Sequence, residues 1–246
     1  MKVFGVGTGK SGTTTLAEMF QPAYRSQHEA ELAAMVPIAA EVAGGAHDPA
    51  AVQAVLLDRH QRLRLEVDVA GFLNPLVAEL VSAFPDALFI LTIRDCFGWL
   101  GSRVDQRARI LREGTSPPPH LRDAERISYD EPYDVGDAWF AELGLPSARG
   151  LLHRWADANA RVLAAVPSER LLVIRTEDLD GSVPALAAFT GCPADQLCVA
   201  RSNVRTVRTG VLDRLDRAGL VAAAEEHCGA LMERYWGPEW RDLAAT

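Results

Sequence analysis

The sequence predicts an α/β fold, a single domain spanning residues 1–246 with a central, mainly parallel sheet flanked by helices. Three observations carry this. Short apolar runs alternate with stretches of helical periodicity. The run ALFILTI at 87–93 is apolar almost throughout, as a strand covered on both faces has to be. An apolar segment at 2–6 runs directly into a Gly/Thr/Ser loop and then into helical periodicity, a strand–loop–helix unit.

Taken in order, 2–6 is the first strand, and 14–20 the first helix, with Leu16, Met19 and Phe20 on one face and Pro22 limiting it. Helices follow over 29–43 and 49–63, punctuated by Gly44-Gly45 and Asp48-Pro49. The alternation of Leu63, Leu65, Val67 and Val69 predicts a second strand over 63–69. A helix over 75–84 leads to the strand 87–93, and another helix follows over 97–112. The segment 113–146 differs. It holds Pro117-Pro118-Pro119 and Pro132 beside Tyr129, Tyr133, Trp139 and Phe140, and reads as a partly ordered lid or acceptor-binding insertion. Helix returns over 148–166 and a strand over 171–174. A short helix ends at the C-cap Gly191, and a long helical region runs over 212–236, broken near Gly219.

Composition narrows the function classes. With 48% apolar residues the chain can bury a sizeable core. A net charge of −8 argues against a nucleic-acid partner. The longest uncharged apolar run, 88–93, is far too short to span a membrane. The opening apolar stretch is interrupted at once by Gly7-Thr8-Gly9-Lys10, so no signal peptide is expected and the expected location is cytoplasmic. Four cysteines form no CxxC pair, and no Cys/His cluster has zinc spacing, so no metal site is expected.

The densest chemistry lies in the loop after the first strand. Gly7, Gly9 and Gly12 permit a tight turn and close backbone approach. Lys10 supplies a point charge, Ser11, Thr13 and Thr14 supply hydroxyls, and the following helix offers its N-terminus. Together they describe a phosphate cradle. A Walker A loop ending at Gly9-Lys10-Ser11 would need Gly at position 4, which is Phe. The Rossmann pattern lacks its acidic residue at the end of a second strand. A second feature is Arg94, at the end of the strand 87–93, with Ser102 eight residues on. Arg offers a bidentate fork to phosphate at the sheet edge where α/β proteins bind ligands.

Lys10-Ser11-Gly12-Thr13-Thr14 and the Arg94–Ser102 pair resemble the signatures of sulfotransferases that use 3′-phosphoadenosine 5′-phosphosulfate (PAPS), proteins of P-loop NTPase-like fold. The likeness covers most of the chain, including LLVIRTEDL at 171–179 and AAFTGCP at 187–193. Gly9 stands where the family usually has Pro, and Asp95-Cys96-Phe97 replaces its common Asn-Pro-Arg. The resemblance implies sulfuryl transfer from PAPS to a hydroxyl or amine acceptor, with no metal required. It implies that Gly9, Lys10, Ser11, Gly12, Thr13 and Thr14 hold the 5′-phosphate, and that Arg94 and Ser102 hold the 3′-phosphate. A loose match to the family's C-terminal loop adds Arg208 and Gly210. Lys10 would stabilise the leaving phosphate.

In several glycan-modifying members of the family the base that deprotonates the acceptor is a Glu at the end of the second strand, and the resemblance implies Glu66, read as closing that strand, as the first candidate; Asp68, two residues on, is the second. His28 is a third candidate and, with Trp155, a candidate acceptor contact. The acceptor is open among small molecules, lipids and glycans, as is the oligomeric state. The alternatives are a P-loop small-molecule kinase and a non-catalytic nucleotide-binding protein.

Overall fold

The computed structural model describes residues 1–114, 129–199, 210 and 212–245. It has the α/β fold that the sequence predicts. The strands are β1 (Val3–Gly5), β2 (Ser26–His28), β3 (Val67–Val69), β4 (Leu88–Ile93) and β5 (Leu171–Arg175). They form one all-parallel sheet in the order β2-β3-β1-β4-β5. The helices are α1 (Thr13–Phe20), α2 (Leu32–Ala43), α3 (Pro49–Leu63), α4 (Val77–Ala83), α5 (Cys96–Arg112), α6 (Ala148–Ala165), α7 (Val183–Thr190) and α8 (Arg217–Trp236). No helix among the described residues is long and apolar enough to cross a membrane. The chain divides into two compact units, Met1–Ile93 with Ala158–Val204, and Arg94–Asp157 with Arg205–Thr246.

The first unit contains the whole sheet. β1 lies at its centre, Val3 pairing with Val67 on one side and Leu88 on the other. Side chains alternate across a strand, so Val3 and Phe4 serve opposite faces. On one face Val3, Val67, Val69 and Ile90 meet Leu16, Met19 and Phe20 of α1 in a buried cluster. Each such side chain contributes roughly 1.5–3 kcal/mol. On the other, the Phe4 ring packs 5.1 Å from Phe84 and 5.6 Å from Phe89. Buried Asn74 donates to the carbonyls of Val6 and Ala158 at 3.0 Å each, and so holds the exit of β1 in place.

The second unit is built around Trp99, Trp155, Trp240, Phe97 and Phe140, all essentially fully buried. The Asp95 carboxylate caps α5 by accepting from the Gly98 amide at 2.6 Å. In the described part of 113–146, Val135, Asp137, Phe140 and Leu145 are buried, and the Tyr133 hydroxyl donates to the Leu145 carbonyl at 2.8 Å.

Three local expectations need correction. β2 has no counterpart in the sequence reading, because Ser-Gln-His carries no apolar alternation and the strand is held by pairing with β3. The strand expected over 63–69 is only Val67–Val69: α3 continues through Leu63 and stops at Arg64, whose φ of 50° ends the helix. Gly219 does not break a helix. The break lies at Asp216, whose carboxylate caps α8 through the amides of Ala218 and Gly219. Glycine is needed at 219 because a Cβ would come within 2.7 Å of that carboxylate.

Candidate active site

β1 delivers the chain to the carboxyl edge of the sheet, where Val6 still donates to the Ile90 carbonyl at 2.9 Å. The loop that follows is fastened from below. A Cβ on Gly7 would lie 2.2 Å from the Thr92 hydroxyl and 2.7 Å from its carbonyl, so only glycine fits. The Ser11 hydroxyl is turned inward. It donates to the Thr8 carbonyl at 2.7 Å and lies 3.1 Å from the Thr92 hydroxyl. The Thr176 hydroxyl, just past β5, sits 2.9 Å from the Ser11 carbonyl and 3.1 Å from that of Ile93. Gly71, beyond β3, comes close enough that a Cβ there would be 3.0 Å from the Gly9 amide nitrogen.

The other side of the loop is open. A Cβ on Gly9 would meet nothing within 4 Å. Lys10 adopts a left-handed φ of 78° and Gly12 one of 89°, which together fold the chain tightly into α1. No side chain caps α1, and its first turn holds no acidic residue. First-turn amides have no intrahelical acceptor and carry the positive end of the helix dipole. A concave backbone, a lysine and an uncapped helix N-terminus at one sheet edge make an anion site, and these residues fit a phosphate-bearing donor.

His28 ends β2 at the same edge, and its Nε2 is 3.0 Å from the Thr13 hydroxyl in the first turn of α1. The Glu29 carboxylate lies 4.0 Å from Nε2. Burial pushes the imidazole pKa below its ordinary value, with Glu29 opposing more weakly. His28 is therefore neutral at pH 7, yet has a carboxylate at hand for the charge gained on protonation.

Glu66 lies elsewhere. It precedes β3, and its carbonyl accepts from the amide of Val3, the first residue of β1. The three residues of β3, roughly 10 Å of strand, separate it from the carboxyl edge. Its carboxylate accepts from the Arg25 amide at 3.0 Å and lines a cavity of about 570 Å³ with Arg25, His60 and Arg64. The reading of Glu66 as closing the strand is thus corrected, and with it the argument for Glu66 as base. Asp68 is buried inside β3 and held by both arms of the Arg59 guanidinium, so it has no proton-accepting face for a substrate.

In the second unit Arg94 is half-buried at the start of α5. Its Nε lies 2.9 Å from where a Gly98 Cβ would be, so the side chain lies over the first turn of that helix. Ser102 is buried on α5. Trp155 is fully buried, and its indole donates to the Arg94 carbonyl at 3.0 Å. With no exposed surface it cannot contact an acceptor, which corrects that expectation. It fixes the Arg94 backbone instead. Gly210 has a left-handed φ of 64°, and Arg208 lies outside the described residues.

The sequence reading missed the residues that shape the loop from outside it: Gly71, Asn74, Thr92 and Thr176. Thr92 left a trace, as the one hydroxyl in the otherwise apolar LFILTI strand.

A parallel sheet whose central strand enters a glycine-rich lysine loop and an uncapped helix defines an α/β protein with the elements of an anion cradle at its sheet edge. The chain belongs to the sulfotransferase-domain family, whose model, described as "Sulfotransferase domain", matches residues 2–206. Among solved structures, a sulfotransferase from Alicyclobacillus acidocaldarius superposes with a TM-score of 0.56 at 16% identity, covering 98% of each chain. The sulfotransferase domain from the curacin biosynthetic pathway does so with a TM-score of 0.50 at 14% identity, over 94% of this chain and 96% of that one. These likenesses concern the fold. No curated protein sequence matches the chain. Family and fold support sulfotransferase activity.

Proposed function

We propose that the protein transfers a sulfuryl group from PAPS to a hydroxyl or amine acceptor, releasing adenosine 3′,5′-bisphosphate. The observation that carries this reading is the Lys10-Ser11-Gly12-Thr13-Thr14 loop, fastened beneath by Thr92 and Thr176 and open at Gly9. In this reading the loop amides, the first turn of α1 and the Thr14 hydroxyl hold the 5′-phosphate, and Ser11 shapes the loop. Lys10 offsets charge that builds on the leaving phosphate oxygen. Arg94 and Ser102 hold the 3′-phosphate, as the family resemblance implies, and Gly210 with Arg208 belongs to the third contact. The donor supplies an activated sulfuryl group; positioning and charge stabilisation are the protein's part. The acceptor is a small molecule, lipid or glycan, and its pocket draws on the segment 113–146, of which 115–128 lie outside the described residues.

The test is calorimetric titration, without metal, of adenosine 3′,5′-bisphosphate against ADP and ATP. Micromolar binding of the 3′-phosphorylated nucleotide alone is expected, weakened at least tenfold in Arg94→Ala. Preference for ATP would overturn the reading.

We assign the base to His28, which takes the acceptor proton while Thr13 orients its ring and Glu29 stabilises the imidazolium. His28→Asn is expected to lose about 10²–10⁴ in turnover and to keep nucleotide affinity, whereas Glu66→Gln retains both. The sign of the pH dependence follows from the lowered pKa. The active form is the neutral one, so the rate is flat through pH 7 and falls only on acidification below about 6.5, the ordinary imidazole value. A pH–rate profile on both variants checks this; loss of turnover in Glu66→Gln alone would return the role to Glu66.

A further inference from the structure

The second unit contains a side-chain cluster that sulfuryl transfer does not use. Glu131 comes from the coil before the 3₁₀ turn at Ala138–Leu143, His153 from α6 and His227 from α8. His153 Nδ1 is 3.0 Å from a Glu131 carboxylate oxygen, and His227 Nε2 is 4.0 Å from the same oxygen. One ligand atom from each residue lies within 4.8 Å of the other two. Ligands placed at about 2.0–2.2 Å around a tetrahedral ion stand roughly 3.3–3.5 Å apart. The three groups already approximate that triangle.

A second observation points the same way. The His227 side chain is only 10% exposed, and its Nε2 is buried without a hydrogen-bond partner. Leaving such a nitrogen unsatisfied is costly, so it calls for an explanation. An ion pair between His153 and Glu131 explains those two residues and leaves the His227 nitrogen orphaned. The imidazoles of His153 and His227 stack with centroids 4.5 Å apart, and the Tyr129 ring covers the other side of His153 at 3.6 Å.

We propose that Glu131, His153 and His227 form a binding site for one divalent transition-metal ion of the Zn²⁺ class, with water completing the coordination. Two imidazoles and one carboxylate suit such an ion, whereas Ca²⁺ and Mg²⁺ take oxygen ligands. The stacked rings direct their lone pairs along nearly parallel planes, so one imidazole turns about its Cβ–Cγ bond to bring both onto the ion. Bound there, the ion ties the coil at Glu131 to α6 and α8.

The experiment uses the full chain, stripped with chelator and titrated with Zn²⁺ by calorimetry and with Co²⁺ by visible absorption. One equivalent is expected to bind with micromolar or tighter affinity, to raise the Tm by several degrees and to give a nitrogen/oxygen-ligated Co²⁺ spectrum. Glu131→Gln and His153→Ala should each weaken binding at least tenfold. His227→Ala should do the same, but this residue is buried and its loss can unfold the helix contact; Glu131→Gln, on a half-buried coil residue, tests the site without that risk, with circular dichroism as the control for folding. Absence of stoichiometric binding overturns the proposal, as does binding unchanged in Glu131→Gln and His153→Ala, or a thiolate charge-transfer band that assigns the ion to cysteine.

Discussion

Lys10→Met is expected to slow release of adenosine 3′,5′-bisphosphate from PAPS by about 10²–10³-fold, with the Tm nearly unchanged. Lys10 is half-buried in a loop that is open at Gly9, and in the function proposed above its ammonium is the charge that the Lys-Ser-Gly-Thr-Thr loop brings to the leaving group. The residue also holds a φ of 78°, which costs a non-glycine residue about 1–2 kcal/mol. Lys10→Gly removes that strain and adds roughly 0.5–1 kcal/mol of unfolded-chain entropy. This variant should therefore be as stable as the parent, or slightly more so, and equally inactive. Product release followed by chromatography, with thermal melts alongside, separates the two effects. Turnover retained in Lys10→Met would remove Lys10 from the mechanism.

The second large effect falls on stability. Asp68→Ala should cost about 3–5 kcal/mol, roughly 6–20 °C in Tm. Asp68 and Arg59 are both nearly inaccessible, and each Asp68 oxygen accepts from one arm of the guanidinium. Arg59 also donates to the Ala30 carbonyl at 2.8 Å, so the pair anchors α3 to β3 and to the chain beyond β2. Removing the carboxylate leaves a buried cation whose only remaining carboxylate partner among the described residues is the more exposed Glu31, 3.6 Å from Arg59 Nε. Replacing both partners, as in Arg59→Met with Asp68→Leu, should recover most of the loss, because the pair's own net worth is small. Urea denaturation of the two single variants and the double variant measures this. A Tm unchanged in Asp68→Ala would contradict the burial argument.

The glycine-rich lysine loop was legible in the sequence because its chemistry is local: glycines, a lysine and hydroxyls fall within eight consecutive positions. The long helices were legible for a similar reason. α3 and α5 carry enough turns for apolar periodicity to show, and the Asp48-Pro49 step marks the start of α3. The reading of Glu66 as closing a strand failed on four residues of strand boundary: the strand expected over 63–69 begins only at Val67, so Glu66 precedes it. Leu63 and Leu65 extend the alternation of Val67 and Val69, yet Leu63 ends a helix and Leu65 lies in the turn beyond Arg64. The position of His28 was hidden for a related reason. Ser26-Gln27-His28 has no apolar signature, and only its pairing with β3 reveals that the histidine ends a strand beside α1. Trp155 read as an aromatic open to ligand; nothing in the sequence shows that its helix face is wholly enclosed. The Glu131–His153–His227 cluster joins three elements distant in the chain, so no spacing rule could have announced it.

The placement of β1 at the centre of the sheet governs how the chain is made. Val3 is synthesised before both of its neighbours, Val67 and Leu88, and Phe89 in turn waits for Leu171. No local hairpin can shelter the first strand while the rest emerges. Its apolar residues stay exposed until distant segments arrive, and chains dominated by such distant pairings fold slowly and pass through aggregation-prone stages. Slower translation or assistance from chaperones during synthesis therefore acts chiefly on the interval before β3 and β4 leave the ribosome, when the strand that leads to the phosphate loop has nothing to pair with.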